Sequence, residues 1–199
     1  MEKIVLASNN AGKVHEINEL LEAYDINVVP QGDYDVDSVE ETGLTFVENA
    51  IIKARYAALK TGLPAIADDS GIEVDALNGA PGIYSARFSG EGASDKENNK
   101  KLLEELKDIP EAERTARYQC VMVFMRHAAD PTPIIASGSW EGTILPSAKG
   151  SGGFGYDPLF YVATHQCSAA ELTAELKNKL SHRSKALVSL LHKLQEKAL

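Results

Sequence analysis

Short apolar runs of strand length alternate with helices whose starts are marked in the sequence, and this interleaving constrains the fold of the chain more than any other feature. Residues 4–7 form the first run, closed by Ser8-Asn9-Asn10-Ala11-Gly12. Val14, Ile17, Leu21 and Tyr24 then recur at steps of three and four, the spacing of one helix face. Residues 26–29 read as a second strand. Thr45-x-x-Glu48 is a capping box that opens a helix burying Val47, Ala50, Ile51, Ala54 and Ala57, with Asn49, Lys53, Tyr56 and Lys60 on the opposite stripe. Residues 63–67 form a strand ended by a turn, Asp68-Asp69-Ser70-Gly71, and Ile72-Glu73-Val74 returns from it. Ser94-x-x-Glu97 caps a helix with Leu102, Leu103 and Leu106 inside. Longer strands follow at 118–125 and 134–144, the second interrupted by Gly138 and Gly142. Ser168-x-x-Glu171 starts another helix, and Leu187, Leu190, Leu191 and Leu194 mark a last one. Strands and helices in this order predict an α/β fold with a mixed sheet.

The 199 residues suit one domain, or two small lobes sharing a core. Cys120 and Cys167 are too few and too far apart for a disulfide framework or a cysteine zinc site, which points to a reducing compartment. The start, Met1-Glu2-Lys3, leads directly into Ile4-Val5-Leu6, without the pattern of a signal peptide, and no apolar run approaches membrane-spanning length. The expectation is a cytoplasmic protein with no membrane partner. A net charge of −9 disfavours a nucleic-acid surface, yet a few lysines in a cleft can still attract a small anion.

Each segment that can carry chemistry also has a plainer reading. Ser8-Asn9-Asn10-Ala11-Gly12-Lys13 lies between a strand and a helix, so it is either a capped helix start or a phosphate site made of backbone N–H groups and a lysine. It is not a Walker A loop, because Ala7 and Val14 stand where that motif needs Gly and Ser or Thr. Asp68 and Asp69 end an apolar strand, where ligands collect in open α/β sheets. Neighbouring side chains on extended backbone face opposite ways, so one carboxylate can meet a metal–phosphate complex while the other supports the turn or a cation. The same alternation lets only one of Glu40 and Glu41 face a cleft. Lys53 matters only if its helix lines that cleft. The loop from Gly150 to Pro158 presents Phe154 and Tyr156 on glycine-rich backbone, either stacked on a base or packed in the core, and Asp157 can accept from a base N–H. Lys177 and Ser181-His182-Arg183 suit a carbonyl oxygen, a phosphate or a helix C-terminus.

In this order and spacing the segments resemble the inosine/xanthosine triphosphate pyrophosphatase family nearly end to end. The likeness is carried by Ser8 to Lys13, Glu40-Glu41-Thr42-Gly43 with Thr45-Phe46 and Glu48-Asn49-Ala50, and Ala67-Asp68-Asp69-Ser70-Gly71. Gly79 to Arg87, Gly153 to Pro158 and Ser181-His182-Arg183 complete it. Ser8 stands where the family often has Thr and keeps the hydroxyl. The resemblance implies one domain over residues 1–199, a long curved mixed β-sheet flanked by helices, and two lobes with a nucleotide cleft between them. It implies a homodimer that hydrolyses noncanonical purine nucleoside triphosphates (ITP, dITP, XTP, dXTP) to the monophosphate and pyrophosphate, clearing deaminated purines from the nucleotide pool. Ser8, Asn9, Asn10, Ala11, Gly12 and Lys13 would hold the triphosphate, assisted by Lys53 and Ser70. Glu40 and Asp69 would hold Mg²⁺, with Asp69 the proton acceptor. Phe154 would stack on the purine beside Gly155 and Tyr156, and Asp157, Lys177, His182 and Arg183 would read its edge.

Hypoxanthine and xanthine offer an N1–H donor and an O6 acceptor, which suit Asp157 and a Lys177 or Arg183 donor. Adenine reverses both, and leaving buried charges unpaired costs on the order of a hundredfold in discrimination. Two rivals are a pyrophosphatase for modified pyrimidines or ordinary nucleotides, and a sensor that binds a triphosphate without cleaving it.

Overall fold

The computed structural model describes residues 3–22, 26 and 28–197. In chain order the elements are β1 (Ile4–Leu6), α1 (Ala11–Glu22), β2 (Val28–Pro30), α2 (Phe46–Thr61), β3 (Ala65–Val74) and α3 (Asp95–Glu105). They continue with β4 (Thr115–Met125), β5 (Ile134–Ile144), β6 (Phe160–Val162), β7 (Cys167–Ser168), α4 (Ala174–Leu180) and α5 (His182–Glu196). The strands form a seven-stranded sheet in the order β2-β1-β3-β4-β5-β6-β7. β1 pairs parallel with β2 and β3, while β5–β6 and β6–β7 are antiparallel, so the sheet is mixed as expected.

The chain divides into two compact units. The first holds residues 1–69, 120–138 and 182–199, and the second holds 70–119 and 139–181. In the first, Leu6, Ile17, Ile66, Met122, Leu187 and Leu190 belong to one buried cluster, and the alanine face of α2 packs with Val5, Val123 and Met125 in another. In the second, Ile72, Leu102, Leu106, Trp140, Leu159 and Phe160 form the core.

Several expectations change in the structure. No turn interrupts Asp68 to Gly71: β3 is one extended strand of ten residues, with both carboxylates buried inside it. Charged groups inside a strand are tolerated where partners neutralise them, and both aspartates have such partners in the first unit. Gly138 and Gly142 likewise do not break β5. Ser168-x-x-Glu171 does form a capping box, but it opens a single 3₁₀ turn, and Thr173 caps the helix that follows. On α2, Asn49 is buried rather than on the solvent stripe. Thr45 accepts from the Glu48 N–H, while the Glu48 carboxylate turns to the Leu44 N–H and the Thr45 hydroxyl. The helix periodicity of α1 is realised at Ile17 and Leu21, and Tyr24 lies outside the described residues.

Candidate active site

β3 presents Asp68 and Asp69 as neighbours on extended backbone, and their side chains find different partners. Asp68 Oδ2 lies 3.0 Å from Lys13 Nζ and 3.5 Å from Arg183 Nε. Burial pushes this carboxyl up, but the charges of Lys13, Arg183 and Lys53 outweigh it and hold Asp68 well below the usual carboxylate range. Asp69 Oδ1 meets Lys53 Nζ at 2.9 Å, and Asp69 Oδ2 accepts from the Asn49 amide at 3.3 Å. Here burial wins: it raises the Asp69 carboxyl above its ordinary value against the pull of Lys53, with the Glu41 charge adding to the rise.

Lys53 also lies 2.7 Å from Glu41 Oε1, so two carboxylates share one ammonium. Burial disfavours that ammonium, yet the charges of Asp69, Asp68 and Glu41 hold its pKa above the ordinary value. Of the glutamate pair, Glu41 is therefore the one drawn to Lys53 and Asp69, and Glu40 is exposed. The segment carrying both glutamates is tied to α2 where Gly43 N–H donates to Asn49 Oδ1 at 2.8 Å. A Cβ at Gly43 would come within 2.6 Å of Glu48 Cβ, so only glycine lets the backbone approach α2 this closely.

The Ser8 to Lys13 segment does begin a helix. Asn10 Oδ1 accepts from the Lys13 N–H at 3.1 Å and Ser8 Oγ from the Asn10 N–H at 3.2 Å. Asn9 and Asn10 are exposed, as are Ala11 and Gly12, so the helix start faces solvent. The positive end of a helix beside a lysine is a place where an anion can be held. The capped helix start is thus observed, and the exposed segment stays a candidate phosphate cradle.

The second unit carries the other group. Asp157 is buried and accepts from the Tyr118 hydroxyl (3.2 Å), the Phe154 N–H (2.9 Å) and the Lys177 ammonium (2.8 Å). Lys177 Nζ also sits 4.5 Å from the centre of the Phe154 ring, a cation–π contact, and that ring is exposed. The glycine-rich loop is anchored by α3: Gly155 N–H donates to Asp95 at 2.6 Å, and its carbonyl accepts from the Asn99 amide at 2.8 Å. Tyr156 is a core residue whose hydroxyl donates to the Ser85 carbonyl at 2.8 Å, so only its backbone is offered to a ligand. Phe154 is the ring available for stacking.

Ser70 is half-buried on β3. His182 and Arg183 open α5, and both are buried. The structure brings Arg183 to Asp68, and Asp157 to Lys177, so the four side chains expected to read a base edge fall in different units. Asn49 and Tyr118 were not singled out from the sequence. The Asn49 amide sits in a helical stripe that reads as solvated and the Tyr118 hydroxyl in an apolar strand run, so neither shows its role locally, although Asn49 lies in a segment that carries the family likeness.

Residues 4–193 match the Ham1 family. A dITP/XTP pyrophosphatase of Shigella flexneri is 60% identical over 195 residues, 98% of this chain and 99% of that one. One from Vibrio parahaemolyticus is 60% identical over 194 residues, 98% of this chain and 97% of that protein. Among solved structures, a HAM1 protein from Coxiella burnetii superposes with a TM-score of 0.92 at 50% identity, covering 98% of this chain and all of that one. The Staphylococcus aureus Ham1 protein gives 0.87 at 41% identity, covering 98% and 100%. A likeness this close over the whole length, with the acidic strand, the anchored loop and the capped lysine segment all in place, makes the chain a member of the Ham1 family.

Proposed function

We propose that the protein is a hydrolase that splits noncanonical purine nucleoside triphosphates (dITP, ITP, XTP and dXTP) into the nucleoside monophosphate and pyrophosphate, and so keeps deaminated purines out of the nucleotide pool. The observation that carries this reading is the pair of buried carboxylates, Asp69 with Lys53 in one unit and Asp157 with Lys177 beside an exposed ring in the other. Relatives that share this sequence at 60% identity are dITP/XTP pyrophosphatases.

The first unit handles the phosphates. Backbone N–H groups at the start of α1, with Ser8, Asn9, Asn10 and Lys13, bind the triphosphate, and Lys53 and Ser70 assist. Lys13 and Lys53 act as fixed positive charges toward the phosphate oxygens. Asp69 accepts the proton of the attacking water. Its raised pKa makes it a stronger base than an ordinary carboxylate, and Asn49 and Lys53 hold both its oxygens in place.

Magnesium fits this donor set. Asp69 offers a buried carboxylate on β3, and Glu40 is exposed on the segment whose Glu41 pairs with Lys53. Few carboxylates, completed by substrate oxygens and water, is the way Mg²⁺ is usually held. Asp69 and Glu40 would hold it, with Glu41 committed to Lys53. When bound, the ion neutralises charge on the phosphates.

The second unit reads the base. Phe154 stacks on the purine, Asp157 accepts from N1–H, and Lys177 donates to O6. His182 and Arg183 are the further candidates for the base edge, and Arg183 also pairs with Asp68. We take the working form to be a cytoplasmic homodimer; light scattering at twice the chain mass checks the assembly. No described helix is long and apolar enough to cross a membrane.

The decisive measurement is pyrophosphate release from ITP, dITP, XTP, GTP, ATP and dUTP, with Mg²⁺ and with EDTA. Rapid release from the first three in Mg²⁺ alone is the expected result. Equal rates on ATP and ITP would remove the base-reading assignment, and nucleotide binding without release would make the protein a sensor.

A further inference from the structure

Asp157 is more tightly surrounded than recognition of one base N–H requires. A carboxylate offers about four lone-pair positions. Phe154 N–H and Lys177 Nζ occupy Oδ2, and the Tyr118 hydroxyl occupies Oδ1. Only glycine fits at 153 beside this carboxylate, because a Cβ there would run into Oδ2, and its φ of +71° suits glycine in any case. The position left for a ligand is the second one on Oδ1, next to Tyr118.

We propose that Tyr118 is a positioning residue for base selection, its hydroxyl fixing Oδ1 of Asp157 as an acceptor aimed at the purine N1–H. The proposal rests on the reading of Asp157 as the base-reading carboxylate. Hypoxanthine presents an N1–H that a correctly aimed Oδ1 lone pair accepts, whereas adenine presents a bare N1 lone pair that the carboxylate repels. Selectivity therefore depends on how Oδ1 is oriented, and among the described residues Tyr118 is the donor that reaches Oδ1. Tyr118 is fitted to that task. Burial, and then the Asp157 charge, hold its phenol well above the ordinary range, so it stays a donor. Its ring is fixed by Phe160 at 4.7 Å and Trp140 at 6.3 Å between centroids.

Tyr118→Phe keeps the ring and its packing and removes only the O–H. The experiment compares kcat and KM for ITP and ATP in the wild type, Tyr118→Phe and Asp157→Asn, with melting temperature as the structural control. The expected result for Tyr118→Phe is a fall of about tenfold in the ITP-to-ATP ratio of kcat/KM. The fall should appear chiefly as a raised KM for ITP, at a nearly unchanged melting temperature. A collapsed ratio in Asp157→Asn with an unchanged one in Tyr118→Phe overturns the role of Tyr118 and leaves the base-reading carboxylate standing. An unchanged ratio in both overturns the base reading itself. Equal loss on ITP and ATP in Tyr118→Phe makes the residue structural and also overturns the proposal.

Discussion

Asp68 and Asp69 show how far two adjacent, identical side chains diverge when the backbone turns them opposite ways. Asp68 is locked between Lys13 and Arg183, and its depressed pKa means that its ionised form stabilises the fold. Stability from a depressed carboxylate is present above the unfolded value of 3.8 and is lost as pH falls toward the folded one. Arg183→Ala leaves that buried charge half-compensated and should cost about 3 kcal/mol of unfolding free energy at pH 7. Urea unfolding measured from pH 7 down to pH 3 checks this, and the variant should lose stability on acidification less steeply than the wild type. Asp69 has the opposite character. In metal-free protein its carboxyl carbon, followed by NMR, should titrate above 3.8, and Mg²⁺ should move the midpoint down. A midpoint indifferent to Mg²⁺ would place the ion elsewhere. Calorimetric Mg²⁺ affinity should weaken in Glu40→Gln and hold in Glu41→Gln; the reverse order would exchange the two glutamates.

At the scale of elements, the starts of helices were legible because their determinants lie within four residues of one another. The Ser94 and Ser168 boxes and the Thr45 cap are all present. β5 runs over the span its apolar pattern predicts, because burial on alternate positions outweighs two glycines. What stayed hidden depends on partners far along the chain. Asp68-Asp69-Ser70-Gly71 has the composition of a turn, and only Lys13, Lys53 and Arg183, brought from three helices, let β3 continue through it. Asn49 is spaced like a surface residue and becomes buried by bonding Asp69 and Gly43. Gly138 is another such case. It reads as a break in a strand, but a Cβ there would strike the His182 carbonyl and the Ala186 nitrogen on α5. Backbone atoms cannot move aside as a side chain can. Gly138→Ala should therefore cost about 2 kcal/mol through forced separation of α5 from β5, a shift readable in thermal unfolding, whereas Gly62→Ala should show only the smaller strain of its positive φ.

At the scale of the whole molecule, the chain passes between its two units at 69/70, 119/120, 138/139 and 181/182, and each unit carries its own buried carboxylate–lysine pair. Asp68 and Asp69 with their lysines belong to the first unit, and the exposed Phe154 ring with buried Asp157 belongs to the second. Such a division predicts that rate and base choice respond to different substitutions. If Lys53 acts on the phosphate oxygens as proposed, Lys53→Ala removes a fixed charge common to every substrate, and kcat should fall about a hundredfold on ITP, dITP and XTP alike. On the proposed stacking role, Phe154→Ala removes a surface worth about 1–3 kcal/mol per base that acts before the chemical step. Its effect should be a raised KM at nearly constant kcat. Tyr156→Ala should instead lower stability, because that ring is buried and its hydroxyl bonds the Ser85 carbonyl. Steady-state kinetics of the three variants, read beside their melting temperatures, distinguish these outcomes. A Tyr156→Ala protein of wild-type stability with the larger rise in KM would move the stacking role from Phe154 to Tyr156. A Lys53→Ala effect that differed sharply between ITP and XTP would mean that the first unit also senses the base.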